Sequence, residues 1–261
     1  MDSSIAQILD RFKPLCLAEL NARAAMLERL DNKYIVPAAR FRPALEAFAE
    51  HFDVLEIDGK RAFTYATRYF DDENLRTYHA HHQGRRKRCK VRIREYVDAG
   101  ISFLEVKLKD RRKLTVKRRL KIKAPMACLD QSCIDFVEHC HSALYDQPLG
   151  LVLRQVISMR YRRITLVAKA GGERMTIDSG LNFQAEGSLR EIPGGLFILE
   201  TKSPRGNGIA DRVLRGLRLH PTAQCSKYCI GMAALDLVER RNRFLPALKR
   251  LELNTDPSHA A

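Results

Sequence analysis

Five short stretches of this chain alternate charged with apolar residues. They are Lys90-Val91-Arg92-Ile93-Arg94, Glu105-Val106-Lys107-Leu108-Lys109, Leu114-Thr115-Val116-Lys117-Arg118-Arg119-Leu120, Arg174-Met175-Thr176-Ile177-Asp178 and Ile198-Leu199-Glu200-Thr201-Lys202. A period of two sends neighbouring side chains to opposite faces of a strand. Each stretch therefore predicts a strand with one apolar face and one face of arginines and lysines with occasional carboxylates.

Apolar positions fall at helical spacing over 3–28, with Pro14 interrupting them, which predicts two short helices. A first strand is expected over 32–36, ended by Pro37. A helix follows over 42–52, with Pro43 suited to its first turn. From 63 to 211 the pattern is mostly strand: 64–70, then 90–96, 103–109 and 114–122, with Asp98-Ala99-Gly100 as a turn. A helix over 129–144 places Ile134, Val137 and Leu144 on one face, and strands over 152–167 and 174–183 flank a Gly171-Gly172 turn. The last strand is 197–203, the Arg205–Gly208 segment reads as a loop, and one long helix is expected over 226–251.

About eight strands with four or five helices, joined partly by hairpins, imply an α+β fold around an antiparallel sheet. A basic face on every strand would repel itself if merely solvated. Closing the sheet with its charges inward makes a wide, wet lumen, and the helices then cover the apolar outside. The expectation is an eight-stranded antiparallel β-barrel tunnel with a charged lumen and helices packed outside. Residues 1–28 would be N-terminal helices, 29–252 the tunnel domain and 253–261 a tail.

Composition supports an anionic partner. The 261 residues carry 46 Lys+Arg against 31 Asp+Glu, a formal charge of +15, and 45% apolar content argues against a disordered basic tail. Seven cysteines without regular spacing, and no secretory signal, point to reduced thiols in a cytoplasm. No apolar run is long enough to span a membrane, so a soluble, cytoplasmic protein is expected.

The densest basic region is Arg85-Arg86-Lys87-Arg88, followed by Lys90, Arg92, Arg94 and Tyr96. The first four suit a loop that contacts nucleic acid. The strand cations suit phosphate, because guanidinium forks match phosphate oxygens. Glu105-x-Lys107 and Glu200-x-Lys202 are twin pairs whose partners share a face; a carboxylate among so many cations can ligate a divalent metal that bridges phosphates. His79, His81 and His82 read as an exposed loop, and Cys128, Cys133, His139, Cys140 and His141 as a helix surface, since neither group has zinc-site spacing. Neither a catalytic serine triad, a P-loop nor a dinucleotide fingerprint occurs.

With these residues in order, the chain resembles the VTC-domain polyphosphate polymerases of the triphosphate tunnel metalloenzyme (CYTH-like) superfamily. The resemblance is carried by Arg29-x-Asp31-x-Lys33-Tyr34, Thr67-Arg68-Tyr69-Phe70-Asp71 with Tyr78, Lys90-x-Arg92-x-Arg94-x-Tyr96, Phe103-x-Glu105-x-Lys107, Lys117-Arg118-Arg119, Tyr161-x-Arg163, Arg174-x-Thr176-x-Asp178, Glu200-x-Lys202 and Ser226-Lys227-Tyr228. It implies transfer of the γ-phosphate of ATP to a growing polyphosphate chain, with release of ADP and dependence on Mn2+ or Mg2+. By the same resemblance Arg92, Arg94, Lys107, Arg163 and Arg174 would hold the ATP phosphates. Lys33, Lys117, Lys202 and Lys227 would line the tunnel, and Glu200, with Glu105, would ligate the metal. The implied partners are ATP and inorganic polyphosphate; a membrane-associated partner is left open and nucleic acid is not expected. Gln224 stands where the family often has lysine, and Asp31 where related tunnel enzymes usually have glutamate.

The chemistry agrees with that implication. Phosphoryl transfer needs positioning and charge neutralisation, and a terminal phosphate that titrates near pH ~6 needs no general base. A tunnel-fold triphosphatase or adenylate cyclase is the nearest alternative, followed by a nucleic-acid-binding protein and a non-catalytic polyphosphate-binding subunit. Arg92→Ala and Lys107→Ala are both expected to remove ATP turnover without unfolding the protein.

Overall fold

The structure, a computed structural model, describes residues 3–23, 30–110, 115–123 and 128–253. In chain order its elements begin α1 (Ser3–Leu9), β1 (Pro14–Leu15), α2 (Leu17–Arg23), β2 (Leu30–Pro37), α3 (Ala38–His51), β3 (Phe52–Leu55), β4 (Ala62–Asp71) and α4 (Arg76–His82). The middle of the chain forms β5 (Arg88–Tyr96), β6 (Ile101–Lys109), β7 (Thr115–Ile122), α5 (Gln131–Tyr145), β8 (Arg154–Ala168) and β9 (Arg174–Ala185). The remainder forms β10 (Ser188–Glu191), β11 (Leu196–Ser203), α6 (Ile209–Gly216), α7 (Lys227–Ala234) and α8 (Leu245–Arg250). Contacts divide the chain into two units, neither of them contiguous in sequence.

The first unit holds Met1–Phe63, Tyr161–Leu181 and Ile192–Cys225. Here β11 pairs antiparallel with β2 on one side and with the start of β9 on the other. Tyr34, Val36, Met175, Ile177 and Leu199 enter a core with α1, α3 and α6. Alternation then sends Asp31, Lys33, Arg174, Thr176, Asp178, Glu200 and Lys202 to the other face. Asp211 at the start of α6 clamps this sheet from behind: its Oδ1 accepts Tyr34 Oη at 2.7 Å, Thr201 Oγ1 at 2.8 Å and Asn32 Nδ2 at 2.9 Å.

The second unit holds Thr64–Arg160, Asn182–Glu191 and Ser226–Ala261. Its centre is the antiparallel run β4-β5-β6-β7. Cys89, Val91, Ile93, Leu104, Val106, Leu108 and Ile122 pack beneath α5, the long helix that covers this face. Gly100, at φ 60°, supplies the left-handed residue that closes the β5–β6 turn. Gly231 lets α7 lie directly on Phe183 and Ile157; a Cβ there would come within 2.4 Å of the Phe183 ring.

The fold is therefore α+β around a mostly antiparallel sheet. Among the described residues β2 has β11 as its strand partner and β7 has β6, so these pairings do not by themselves close a barrel. Several expectations need correction. The predicted helix over 226–251 is two short helices, because Asp236 adopts φ 54° and Tyr78 Oη donates at 2.8 Å to the Arg240 carbonyl in the break. Pro43 lies inside α3 rather than in its first turn, since the helix starts early, where Ala38 N–H donates to Gly195 O at 2.6 Å. The buried stripe of α5 is Cys133, Val137, Cys140, His141 and Tyr145. Helices α4 and α6 and strands β1, β3 and β10 were not anticipated. Arg29, Leu114, the end of the expected second helix and residues 254–261 of the expected tail lie outside the described residues.

Candidate anion-binding site

On β5, β6 and β7, register aligns the charges in rows. Lys90 faces Lys107, and Lys107 faces Lys117. The next row is Arg92, Glu105 and Arg119, and the one after is Arg94, Phe103 and Lys121. Like charges directly opposite on neighbouring strands destabilise a sheet. Three lysines abreast therefore make little sense as architecture and good sense as a seat for a multivalent anion.

Glu105 organises this face. Its carboxylate is only 1% exposed; Oε2 accepts Arg92 Nε at 2.7 Å and Nη2 at 2.6 Å, Arg94 Nη1 stands 3.8 Å away, and Lys117 Nζ closes on Oε1. Burial works against the charge, but Arg92, Arg94 and Lys117 hold the carboxyl well below the usual carboxylate range. Lys117 moves the other way: burial and the nearby Arg92 and Arg94 outweigh Glu105 and bring its ammonium down to about 8. Its charge is thus partly lost just above neutral pH, and a bound anion would restore it.

Two tyrosines connect the cations to α7. Arg92 Nη1 donates to Tyr69 Oη at 2.8 Å, and the Tyr69 ring stacks on Tyr228 with centroids 4.9 Å apart. Tyr228 Oη donates to Asp71 Oδ2 at 2.6 Å, and Asp71 also accepts Thr77 Oγ1 at 2.8 Å and Tyr78 N–H at 2.9 Å. Lys90 Nζ donates at 2.6 Å to Ser226 Oγ, the cap of α7, which places half-buried Lys227 at the first helical position beside this contact. Removing the Tyr228 hydroxyl with Tyr228→Phe leaves a buried carboxylate short of one donor. The expected loss is about 1.5–3 kcal/mol in chemical denaturation, with the ring stack intact.

The first unit carries a separate cluster. Glu200 accepts Lys33 Nζ at 3.3 Å and also Lys202 Nζ. Register sets Lys202 between Asp31 and Arg174, and Glu200 opposite Thr176. Burial pulls Lys33 down, yet Glu200 and Asp31 hold it above its ordinary value; for Lys202 burial prevails and lowers it. Arg163 forks onto Asp178, Nε to Oδ1 at 2.6 Å and Nη2 to Oδ2 at 2.8 Å.

The expected site residues thus fall into two groups. Arg92, Arg94, Glu105, Lys107, Lys117 and Lys227 belong to the second unit, and Lys33, Arg163, Arg174, Glu200 and Lys202 to the first. The sequence motifs include Asp71 and Tyr228, in Thr67–Asp71 and Ser226–Tyr228, without assigning either a role, and Asp211 stands in none of them. Among the described residues no three of His, Cys, Asp and Glu gather as a metal-binding group. The histidines are corrected too: His79, His81 and His82 lie on α4, and burial, aided by Lys90 and Arg88, takes His81 down to about 2. Cys133, Cys140 and His141 lie on the buried face of α5 rather than on its exposed one.

Fold and charge together define a protein whose antiparallel sheet carries rows of cations on one face. The chain belongs to the VTC domain family, whose model matches residues 28–236. No curated protein matches it. Among solved structures it is similar to one described as "Putative adenylyl cyclase HpAC1 from Hippeastrum reveals a dominant triphophatase activity", at 11% identity and TM-score 0.47, over 82% of this chain and 99% of that one. It is also similar to the PH1012 and PH1819 proteins of Pyrococcus horikoshii OT3. PH1012 has 14% identity and TM-score 0.42 over 74% of this chain and 91% of its own. PH1819 has 13% identity and TM-score 0.43 over 76% and 96%. Likenesses this distant add nothing to the family assignment. Among the described residues no helix is long and apolar enough to cross a membrane.

Proposed function

We propose that this chain is a polyphosphate polymerase that transfers the γ-phosphate of ATP to the end of an inorganic polyphosphate chain. The observation that carries the reading is the row Lys90, Lys107 and Lys117, three cations that the register of β5, β6 and β7 sets side by side, a spacing that suits several adjacent negative charges. In the reaction an oxygen of the chain end bonds to the γ-phosphorus and the bond to the β–γ bridging oxygen breaks. ADP leaves with that oxygen. The acceptor is already ionised near neutral pH, so the protein's task is to hold two anions together and neutralise the charge that spreads over the transferred group. The closed eight-stranded tunnel and a cytoplasmic location belong to the same proposal.

In the second unit Arg92, Arg94 and Lys107 hold phosphates, and Lys117 and Lys227 line the path. In the first unit Arg163 and Arg174 hold phosphates and Lys33 and Lys202 flank the metal carboxylate. A divalent ion such as Mn2+ or Mg2+ takes one or two carboxylates and completes its shell with phosphate oxygens and water. Glu200, held by two lysines, would supply a hard oxygen donor, whereas Glu105 is enclosed by three cations. When bound, the ion neutralises charge on the phosphate oxygens. Glu200→Gln is expected to raise the Mn2+ concentration needed for half-maximal turnover about tenfold or more; an unchanged Mn2+ titration removes Glu200 from the metal.

Incubation with ATP and Mn2+ tests the reaction. ADP with acid-precipitable polyphosphate is the expected product. Free phosphate without polymer indicates a triphosphatase, cyclic AMP a cyclase, and either outcome overturns the polymerase reading.

A further inference from the structure

The cationic face does not end at Lys90 and Lys107. Two residues back along β5 lies Arg88, on the same face and directly opposite Lys109 of β6. That row stands about 7 Å farther along the strands. From Arg88 the chain turns back through Arg85, Arg86 and Lys87, all three exposed. This turn has a built shape. Gly84 takes φ 71°, Arg88 Nη1 donates to the Arg85 carbonyl at 2.6 Å, and Arg243 Nη1 donates to the His82 carbonyl at 2.6 Å while standing against Gly84. Lys87 Nζ lies 5.8 Å from the centre of the Tyr145 ring. Asp110, which follows Lys109, is a partly buried carboxylate at this end.

We infer that Arg85, Arg86 and Lys87, with Arg88 and Lys109, form a second binding subsite that takes the distal phosphates of a long polyphosphate chain. The inference rests on the proposed function and extends it, because a triphosphate seated on the Lys90–Lys107–Lys117 row is too short to need the turn. Continuity of the rows argues for one polyanion passing from the strand face onto the turn. The choice of polyphosphate over RNA rests on side-chain chemistry. Single-stranded nucleic acid is held by aromatic rings on which bases stack. Among the described residues the exposed large apolar side chains are Leu17, Leu30, Ile57, Val152, Leu189 and Leu245, none of them aromatic. At the turn itself the ring beside Lys87, Tyr145, is buried, and cations without an exposed ring there suit a chain of phosphates without bases.

The test measures binding of tripolyphosphate, a long-chain polyphosphate and a single-stranded RNA to the full chain and to the triple variant R85A/R86A/K87A at several salt concentrations. The variant is expected to bind long-chain polyphosphate about tenfold more weakly, with a salt slope smaller by about 2, as three lost contacts at about 0.7 each predict. Tripolyphosphate affinity is expected to hold, and R85K/R86K, which keeps the charge, is expected to bind the long chain like the parent. Unchanged long-chain affinity in the triple variant overturns the subsite. So does an equal loss for tripolyphosphate, which places the three residues in the core site, or an equal loss for RNA, which marks a general polyanion patch. Failure of the unaltered protein to bind tripolyphosphate contradicts the proposed function itself, and so the two failures are distinguishable.

Discussion

Lys107→Ala is expected to lower kcat/KM for ATP about 100-fold or more, the scale seen when one preorganised charge-stabilising donor is removed, while leaving the protein folded. Lys107 faces Lys90 on one side and Lys117 on the other. Deleting the central ammonium relieves two like-charge pairs, each worth a few tenths of a kcal/mol, which limits the cost in stability. In the proposed function the same ammonium is the middle of the row that neutralises the phosphates. Steady-state kinetics with a denaturation curve checks both halves. A variant that unfolds, or one that keeps full turnover, contradicts the assignment.

Arg92→Ala does not share that behaviour, and here the expectation from sequence changes. Arg92 donates twice to Glu105 and once to Tyr69, so its removal costs stability as well as turnover. Lys107 is the cleaner probe of function.

Glu105→Gln is expected to destabilise the protein by about 3–5 kcal/mol, the range for breaking a buried ion pair from one side. The amide keeps the shape but leaves Arg92, Arg94 and Lys117 repelling one another around a site 1% exposed. The pH dependence has a definite sign. The folded Glu105 carboxyl titrates below its ordinary value of 4.5, so its contribution is fully present above that pH and is lost as pH falls through the lower folded value. Urea midpoints should therefore converge between the parent and Glu105→Gln as the pH drops below 4.5. Added tripolyphosphate should stabilise the variant more than the parent, because it supplies the negative charge the variant lacks. Parallel pH profiles would show that Glu105 is not the counter-charge of this cluster.

The alternation over β5, β6 and β7 made the charged face legible from sequence, because a two-residue period leaves no freedom about which side chains share a face. The same rule placed Glu200 and Lys202 together. Burial was not legible. Glu105 and Glu200 look alike as twin E-x-K pairs, yet only the structure separates a carboxylate enclosed by three cations from one held by two lysines. The elements that were missed depend on distant partners. Helix α6 begins where Glu173, 36 residues earlier, accepts the Ile209 N–H at 2.6 Å, and α4 begins where Asp71 takes the Thr77 and Tyr78 N–H groups. The long C-terminal helix was overdrawn because its apolar periodicity runs on through the break at Asp236, whereas the backbone there serves a tertiary contact with Tyr78. Pattern reports the faces of elements well, and it is silent about capping groups that arrive from elsewhere in the chain.

In the proposed function the cationic face of β5, β6 and β7 holds the phosphates of a polyphosphorylated substrate, and a crystal structure with a non-hydrolysable ATP analogue and Mn2+ would locate them. The expected result is phosphate oxygens within hydrogen-bond distance of Lys107 and Arg92; phosphates bound elsewhere, with the Lys90–Lys107–Lys117 row untouched, would contradict it.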